Sequence, residues 1–146
     1  MRLTGESGLY RTASISSSVY YRDPRAAIAW LQEAFGLEIA HLVEDDAGEL
    51  THIEMGFGDS VITVASEWTE WAKSPAHLGG ANTQSLRVTL ENDLDAHFAR
   101  AVAAGARVVQ PPEDQAYRQR TYRVLDHEGH AWSFAANLPD APVRST

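Results

Sequence analysis

This chain repeats itself. Asp23 and Asp93 stand 70 positions apart, and Gly36 and Gly105 stand 69 apart. Gly58-Asp59-Ser60-Val61-Ile62-Thr63-Val64 is echoed at an offset of 70 by Glu128-Gly129-His130-Ala131-Trp132-Ser133-Phe134. A period near half of the 146 residues implies duplication of one supersecondary unit. A unit that small builds a poor core alone, so its two copies are expected to pack together.

Each copy reads as strand, helix and three strands. In the first, Asp23 is a good N-cap and Pro24 sits where a helix needs no N–H. Ile28, Leu31 and Phe35 share a face and Gly36 supplies a left-handed C-cap, so a helix is predicted over 24–35. In the second, Asn92 or Asp93 caps a helix over 94–104, striped by Leu94, Phe98, Ala101 and Val102 and stopped by Gly105. Strands are predicted over 14–21, 37–44, 50–57 and 60–66, then over 84–90, 106–110, 120–125 and 130–136. Pro111-Pro112 should close one strand, and Glu128-Gly129 should turn the last hairpin. The expected fold is α+β: two βαβββ modules forming a curled mixed sheet around a central cavity, helices outside. Module one spans 13–66, a linker 67–83 and module two 84–137 of a single domain, 13–137, with tails at 1–12 and 138–146.

Composition removes whole classes of function. With no cysteine, disulfide frameworks, zinc ribbons, iron–sulfur clusters and thiol nucleophiles are excluded. The formal charge of −8 argues against a nucleic-acid partner, which would be repelled. No apolar run is long enough for a membrane span, and the first twelve residues lack a signal-peptide core, so a cytoplasmic protein is expected. Most of the negative charge lies in the first repeat, with Glu44, Asp45, Asp46, Glu49 and Glu54 close together. That cluster reads either as a solvated hairpin tip or as a surface attracting a cationic ligand.

Certain words go further. Tyr21-Arg22-Asp23-Pro24 precedes the first helix, Leu94-Asp95-Ala96-His97 opens the second, and Ala103-Ala104-Gly105-Ala106-Arg107-Val108 leaves it. Arg120-Thr121-Tyr122-Arg123-Val124-Leu125-Asp126 then runs into Glu128-Gly129-His130-Ala131-Trp132-Ser133-Phe134. With the duplicated βαβββ order, these words resemble the vicinal oxygen chelate superfamily, which includes glyoxalase I, extradiol dioxygenases, fosfomycin-resistance enzymes and bleomycin-resistance proteins. The ending is similar to the Asp-Pro-x-Gly-His-x-Trp-x-Phe of the glyoxalase/bleomycin-resistance branch, with His127 where Pro is usual. The resemblance covers about residues 13–137 and specifies fold better than activity.

In metal-bearing relatives the resemblance implies four ligands, from the first and last strands of each module. By spacing from caps and hairpin glycines, those slots fall at Ser16, Thr63, Ser85 and Ser133. All four are hydroxyls, poor ligands for a divalent cation that wants imidazole, carboxylate or amide oxygen. No metal and no other cofactor is therefore expected. His52 and Glu54 share a strand face, but the sequence offers no third ligand at suitable spacing. His130, Trp132 and Phe134 should face the helices as core, and His41, His77 and His97 should lie on the surface.

Small residues on three strands leave room for an organic ligand, either filled by large neighbours such as Tyr20, Tyr122 or Arg87 or open as a pocket. The candidate ligand-binding residues are Ser16, His52, Glu54, Thr63, Trp68, Trp71, Arg87, Tyr117, Arg120, Tyr122 and Ser133. Trp68 and Trp71 lie in a long linker and read as a stacking lid or as a plug between modules or subunits. Arg87 would be a buried cation paired with Glu54 or Glu67, or else the anchor of a ligand acid. Tyr117 and Arg120 match a Tyr-Gly-Asp-Arg segment of the branch, while Arg118 and Gln119 depart from it. The resemblance implies a homodimer that binds a small molecule, of the kind that sequesters an antibiotic or natural product. The alternative is a lyase, isomerase or dioxygenase using a displaced metal or a general acid/base.

Overall fold

The computed structural model describes residues 13–139; the expected tail 1–12 and residues 140–146 lie outside it. The elements run β1 (Ser18–Tyr21), α1 (Pro24–Phe35), β2 (Glu38–Glu44), β3 (Leu50–Phe57) and β4 (Ser60–Ser66). After a 3-10 turn at Pro75–His77 come β5 (Ser85–Leu90), α2 (Leu94–Ala103), β6 (Arg107–Asp114), β7 (Gln119–Leu125) and β8 (Ala131–Asn137). They form two separate four-stranded mixed sheets, ordered β1-β4-β3-β2 and β5-β8-β7-β6. In each, the first and last strands of the repeat pair in parallel: Ser18 faces Thr63 in one, Arg87 faces Ser133 in the other. The fold is α+β and duplicated, and neither sheet closes on itself. No helix is long and apolar enough to cross a membrane among the described residues.

Local chemistry explains the elements. Asp23 is extended and its carboxylate accepts the Ala26 N–H at 3.1 Å, while Gly36 ends α1 at φ 79° with its N–H on the Gln32 carbonyl. The second helix starts differently, because Asp93 sits at φ 56° and caps nothing with its side chain. The Pro111-Pro112 pair does not close β6, which continues to Asp114. The strand is an outer one, and its ladder slips between Gln110 and Glu113, so the prolines remove no needed hydrogen bond. β1 is shorter than predicted, since pairing starts at Ser18.

Both sheets turn one face toward the helices and share one core. Val19, Tyr21, Ile53, Met55 and Val64 enter it from the first sheet; Tyr122, Val124, Trp132 and Phe134 enter it from the second. Phe35, at the end of α1, meets Trp132 and Phe134 with ring centroids 4.9 and 4.8 Å away. Truncating such a ring to alanine typically costs about 3–5 kcal/mol. The helices are also tied to each other: Arg100 on α2 donates to the Glu33 and Gln32 carbonyls, and the Trp30 indole donates to the Ala104 carbonyl at 2.8 Å. Each helix therefore lies on the side of the sheets that leaves the opposite faces open.

Buried acids lock the seam. Asp126 accepts the Tyr21 hydroxyl at 2.6 Å, the Trp132 indole N–H at 3.0 Å and the backbone N–H groups of Glu128 and His130. Glu128 accepts the N–H groups of Arg22 and Asp23 and the Ser74 hydroxyl, so it joins the β1–α1 corner, the linker and the last hairpin. Burial raises the Tyr21 phenol well above its ordinary pKa, reinforced by the charge of Asp126. Burial also pushes the Glu128 carboxyl up, yet the hydrogen bonds from Ser74, Arg22 and Asp23 outweigh it and hold Glu128 below the usual range.

Candidate functional site

The open faces are where side chains remain free for chemistry. On the first sheet, strand alternation and register put Ser18, Tyr20, His52, Glu54, Thr63 and Ala65 on one face. His52 Nε2 lies 2.8 Å from a Glu54 carboxylate oxygen, and the His41 ring stands 5.8 Å from His52 across the strand pair. The linker then brings two indoles to this face. Trp68 and Trp71 meet edge to face at 5.4 Å, and Trp71 meets Tyr20 the same way at 6.1 Å. Both indoles are largely exposed, at 65% and 69% of their surface. Leaving two indoles in water is unfavourable, which marks the patch as a place for a partner or ligand.

Two cavities flank this pair. One, about 220 Å³, includes His52, Thr63, Ala65 and Trp68; the other, about 330 Å³, includes Ser18, Tyr20, Trp71, Lys73 and His130. The linker owes its shape to Glu67, which accepts the Ser74 N–H at 2.8 Å and meets His77 Nδ1 at 2.8 Å. Ser74 in turn donates to Glu128 at 2.6 Å. Partial burial of Glu67 is more than offset by the Ser74 and His77 contacts, which hold its pKa below the ordinary carboxylate value.

The second sheet treats its open face differently. Arg87 donates to the Gln119 side-chain oxygen at 2.5 Å, and Gln119 donates to Asn137 at 3.1 Å. Gln110 and Gln115 both donate to the Thr121 hydroxyl, at 3.1 and 3.0 Å. Beneath these amides Thr121, Ser133 and Ala135 are buried.

The structure therefore gathers His52, Glu54, Thr63, Trp68 and Trp71 on one face, and places Arg87 and Ser133 on the other. Ser16 is exposed and precedes β1, with Ser18 beside Thr63 in the ladder. Tyr117 is exposed in the turn between β6 and β7, next to Arg118 at φ 68°. Arg120 and Tyr122 point to the helix side. Arg120 clamps Asp95 of α2 and Asp114 of β6, which raises its own pKa and lowers that of Asp95. Tyr122 is buried with its hydroxyl 2.7 Å from His97 Nδ1, and burial raises its pKa. His97 is not the surface residue expected from the sequence. Its Nε2 lies 2.8 Å from the Phe35 carbonyl, which can only accept, so Nε2 carries the proton and Nδ1 accepts from Tyr122. Arg87 pairs with neither Glu54 nor Glu67 but with an uncharged amide.

Sequence reasoning missed Tyr20 as a neighbour of Trp71, the Glu67–Ser74–Glu128 chain behind the linker and the four amides over the second sheet. Aromatic alternation in β1 could have found Tyr20. The others depend on contacts between distant parts of the chain.

The Glyoxalase/Bleomycin resistance protein/Dioxygenase superfamily profile matches residues 12–134. The chain belongs to this superfamily. An uncharacterized protein of Mycobacterium bovis, Mb0911c, is 31% identical over 125 residues, covering 82% of this chain and 80% of its own. Among solved structures, TioX from Micromonospora sp. ML1 is 32% identical, with a TM-score of 0.69 over 86% of this chain and 100% of its own. The fosfomycin resistance protein FosX from Listeria monocytogenes matches at 13% identity with a TM-score of 0.64, over 88% of this chain and 95% of its own, a likeness of fold alone.

Some members of the superfamily use a metal, and the residues here do not fit one. Of the four slots read from the sequence, Thr63 pairs in its ladder with Ser18 and not Ser16, and Ser133 with Arg87 and not Ser85, so the first-strand positions lie two residues further along than the spacing placed them. Hydroxyls and a guanidinium make no donor set for a divalent cation. Among the described residues no three His, Asp or Glu side chains are placed to hold one.

Proposed function

We propose that this superfamily member binds a small organic molecule against the open face of its first sheet, holding it by contact with aromatic side chains and hydroxyls instead of through a metal. The observation that carries this reading is the exposed Trp68–Trp71 pair standing between two cavities on a sheet face of Ser, Thr and Ala. Indoles bring large rigid contact area to a ligand at little entropic cost. The ligand class we infer is a natural product or antibiotic with an aromatic portion, sequestered and not turned over. The acidic charge of the first repeat adds a preference for cationic members of that class.

We propose further that two copies of the chain assemble around this site. One open face carries His52 and Glu54, the other Arg87 and Arg123, so a second copy could bring complementary faces together around the ligand. Sedimentation of the protein should then show a two-chain species.

Calorimetric and fluorescence titration with cationic glycopeptides and aromatic natural products tests the binding. Saturable binding that falls at least tenfold in Trp68→Ala and Trp71→Ala supports it, the folded state being checked by circular dichroism. Unchanged indole emission and no heat across that panel would sink it. A second reading rests on the 2.8 Å His52–Glu54 contact, which could serve as a general acid/base pair. It would require product formation that is lost in both His52→Gln and Glu54→Gln.

A further inference from the structure

Between the two modules lies a cavity of about 280 Å³ that neither open face accounts for. Its floor is Leu37, Met55 and Trp132, each nearly inaccessible, and half-buried Ile62, Leu86 and Val88 form its walls. Protein interiors leave few voids larger than a water molecule, so this one needs a cause. The repeat supplies it. Ser60 and Ile62 stand where the second module has His130 and Trp132. There the Trp132 indole donates to Asp126 at 3.0 Å and the His130 ring lies 4.7 Å from that of Tyr21, so rings pack that side of the seam. A serine and an isoleucine at the same positions leave this side short of an imidazole and an indole.

The lining sets the chemistry of the occupant. Strand phase turns Leu86 and Val88 inward and sends Arg87 of the same strand to the open face of the second sheet, where Gln119 holds it. The polar atom of the Trp132 side chain is already committed to Asp126. What faces the cavity is therefore aliphatic carbon, the Met55 thioether and aromatic ring, with the Ser60 hydroxyl at the rim, and nothing inside would balance a charge. Apolar cavities of this kind stay dry and accept aromatic hydrocarbons, and a thioether beside a ring is a favourable contact. Access is provided, since the cavity shares Phe57, Ser60 and Thr89 with a groove of about 800 Å³ that opens to solvent. We propose that the cavity binds an uncharged aromatic molecule, seated between Met55 and Ile62 of one module and Leu86, Val88 and Trp132 of the other, in the space that the missing rings leave. At interior packing density the volume admits about two fused rings. This site is separate from the Trp68–Trp71 face and does not depend on the function proposed there.

Calorimetric titration of the full chain with 1-methylindole and with 1-methylindole-3-acetate tests it. The neutral compound should saturate the protein, and the acid should bind at least about tenfold more weakly, because its carboxylate finds no partner in the cavity. Ile62→Trp installs the ring that the other repeat carries and should weaken 1-methylindole to a similar degree. Leu86→Phe, which fills the same space from the opposite wall, should do so independently, with thermal melts confirming that each variant folds. Trp68→Ala and Trp71→Ala should leave 1-methylindole binding unchanged, which separates this site from the open face. No saturation by 1-methylindole at millimolar concentration would overturn the proposal. So would equal or tighter binding of the acid, unchanged binding in both cavity-filling variants, or loss of binding in the Trp68 and Trp71 variants.

Discussion

The two modules share one connectivity and divide the work of the molecule unequally. In module two, amides from Gln110, Gln115 and Gln119 lie over the open sheet face, and Ser133 and Ala135 beneath them are buried. In module one the equivalent face keeps Tyr20, His52, Glu54 and Thr63 accessible and gains two exposed indoles from the linker. The corners differ as sharply. The last hairpin of module two grips the β1–α1 corner of module one through Asp126 and Glu128. The matching hairpin of module one has Gly56 and Gly58 at those positions, and between it and the β5–α2 corner a groove of about 800 Å³ stays open. Duplication supplied two equal frames; buried acids then closed one junction and their absence left the other free. Stability is concentrated at one pseudo-symmetric corner, and accessible surface at its counterpart and on the face of module one.

The largest effect that would break this contrast is Asp126→Ala. It strands the Tyr21 hydroxyl, the Trp132 indole N–H and two backbone N–H groups in a buried site, so unfolding free energy in urea should fall by about 3–5 kcal/mol. Gly56→Ala, at the same place in the other repeat, should change stability by less than about 1 kcal/mol. Its added methyl would meet the Ser60 carbonyl oxygen at 3.5 Å and the Ala40 side chain at 3.9 Å, ordinary contacts. Comparable losses at the two positions would show that the junctions are equivalent after all. Glu128→Ala should follow at about 2–4 kcal/mol, because Arg22 and Asp23 N–H groups and the Ser74 hydroxyl lose their acceptor together. It should also alter emission from Trp68 and Trp71, since Ser74 anchors their linker; unaltered emission would place the linker's shape elsewhere.

What was legible in the sequence was what is local. Asp23, Pro24 and Gly36 act within one helix, and β3 and β4 are bounded by their own turn residues, so their limits match the reading residue for residue. β6 ran past Pro111-Pro112 because the tolerance depends on the strand lying at the edge of its sheet, a fact of assembly. His97 looked like a surface residue because helix periodicity cannot show that the Phe35 carbonyl of the other module lies within reach. The same limit hid the amides over module two, since Gln110 and Gln115 are only recognisable as a cover once β6 and β7 are paired. The candidate site was legible only as a list of residue types, of which the fold gathers His52, Glu54, Thr63 and two Trp residues on one face. Arg120 and Tyr122 belong to the helix side, a division set by strand phase relative to the core.

A smaller test compares the hairpin glycines. Gly129 has φ 94°, and a methyl there would come 3.3 Å from the Pro75 side chain, coupling the last hairpin to the linker. Gly58 has φ 60° with open space around it. Each alanine pays for the left-handed backbone, about 1 kcal/mol or somewhat more. Gly129→Ala should therefore cost about 1 kcal/mol beyond Gly58→Ala in denaturant melts, because Pro75 must also move. Equal costs would mean that the linker yields freely, and that module two does not hold it.

The smallest expected effect is in pH, and it separates the two kinds of contact across the seam. Burial lowers the His97 pKa from its ordinary 6.5, with the Phe35 carbonyl opposing and the Arg100 charge assisting. The unfolded chain then takes up the proton first as pH falls. The contribution of neutral His97 is fully present above about pH 6.5, declines below it, and levels off once the folded histidine also protonates. Glu128 and Glu67 are likewise held below their ordinary 4.5, so their contribution is present above that value and is lost as pH falls through their folded-state pKa values. Stability measured in urea should therefore decline in two stages. His97→Gln should flatten the stage just below pH 6.5 and leave the acid stage intact; Glu128→Gln should do the reverse. Identical profiles for His97→Gln and the parent chain would mean that the imidazole is not held neutral between α1 and Tyr122. The seam would then rest on the carboxylates of module two alone.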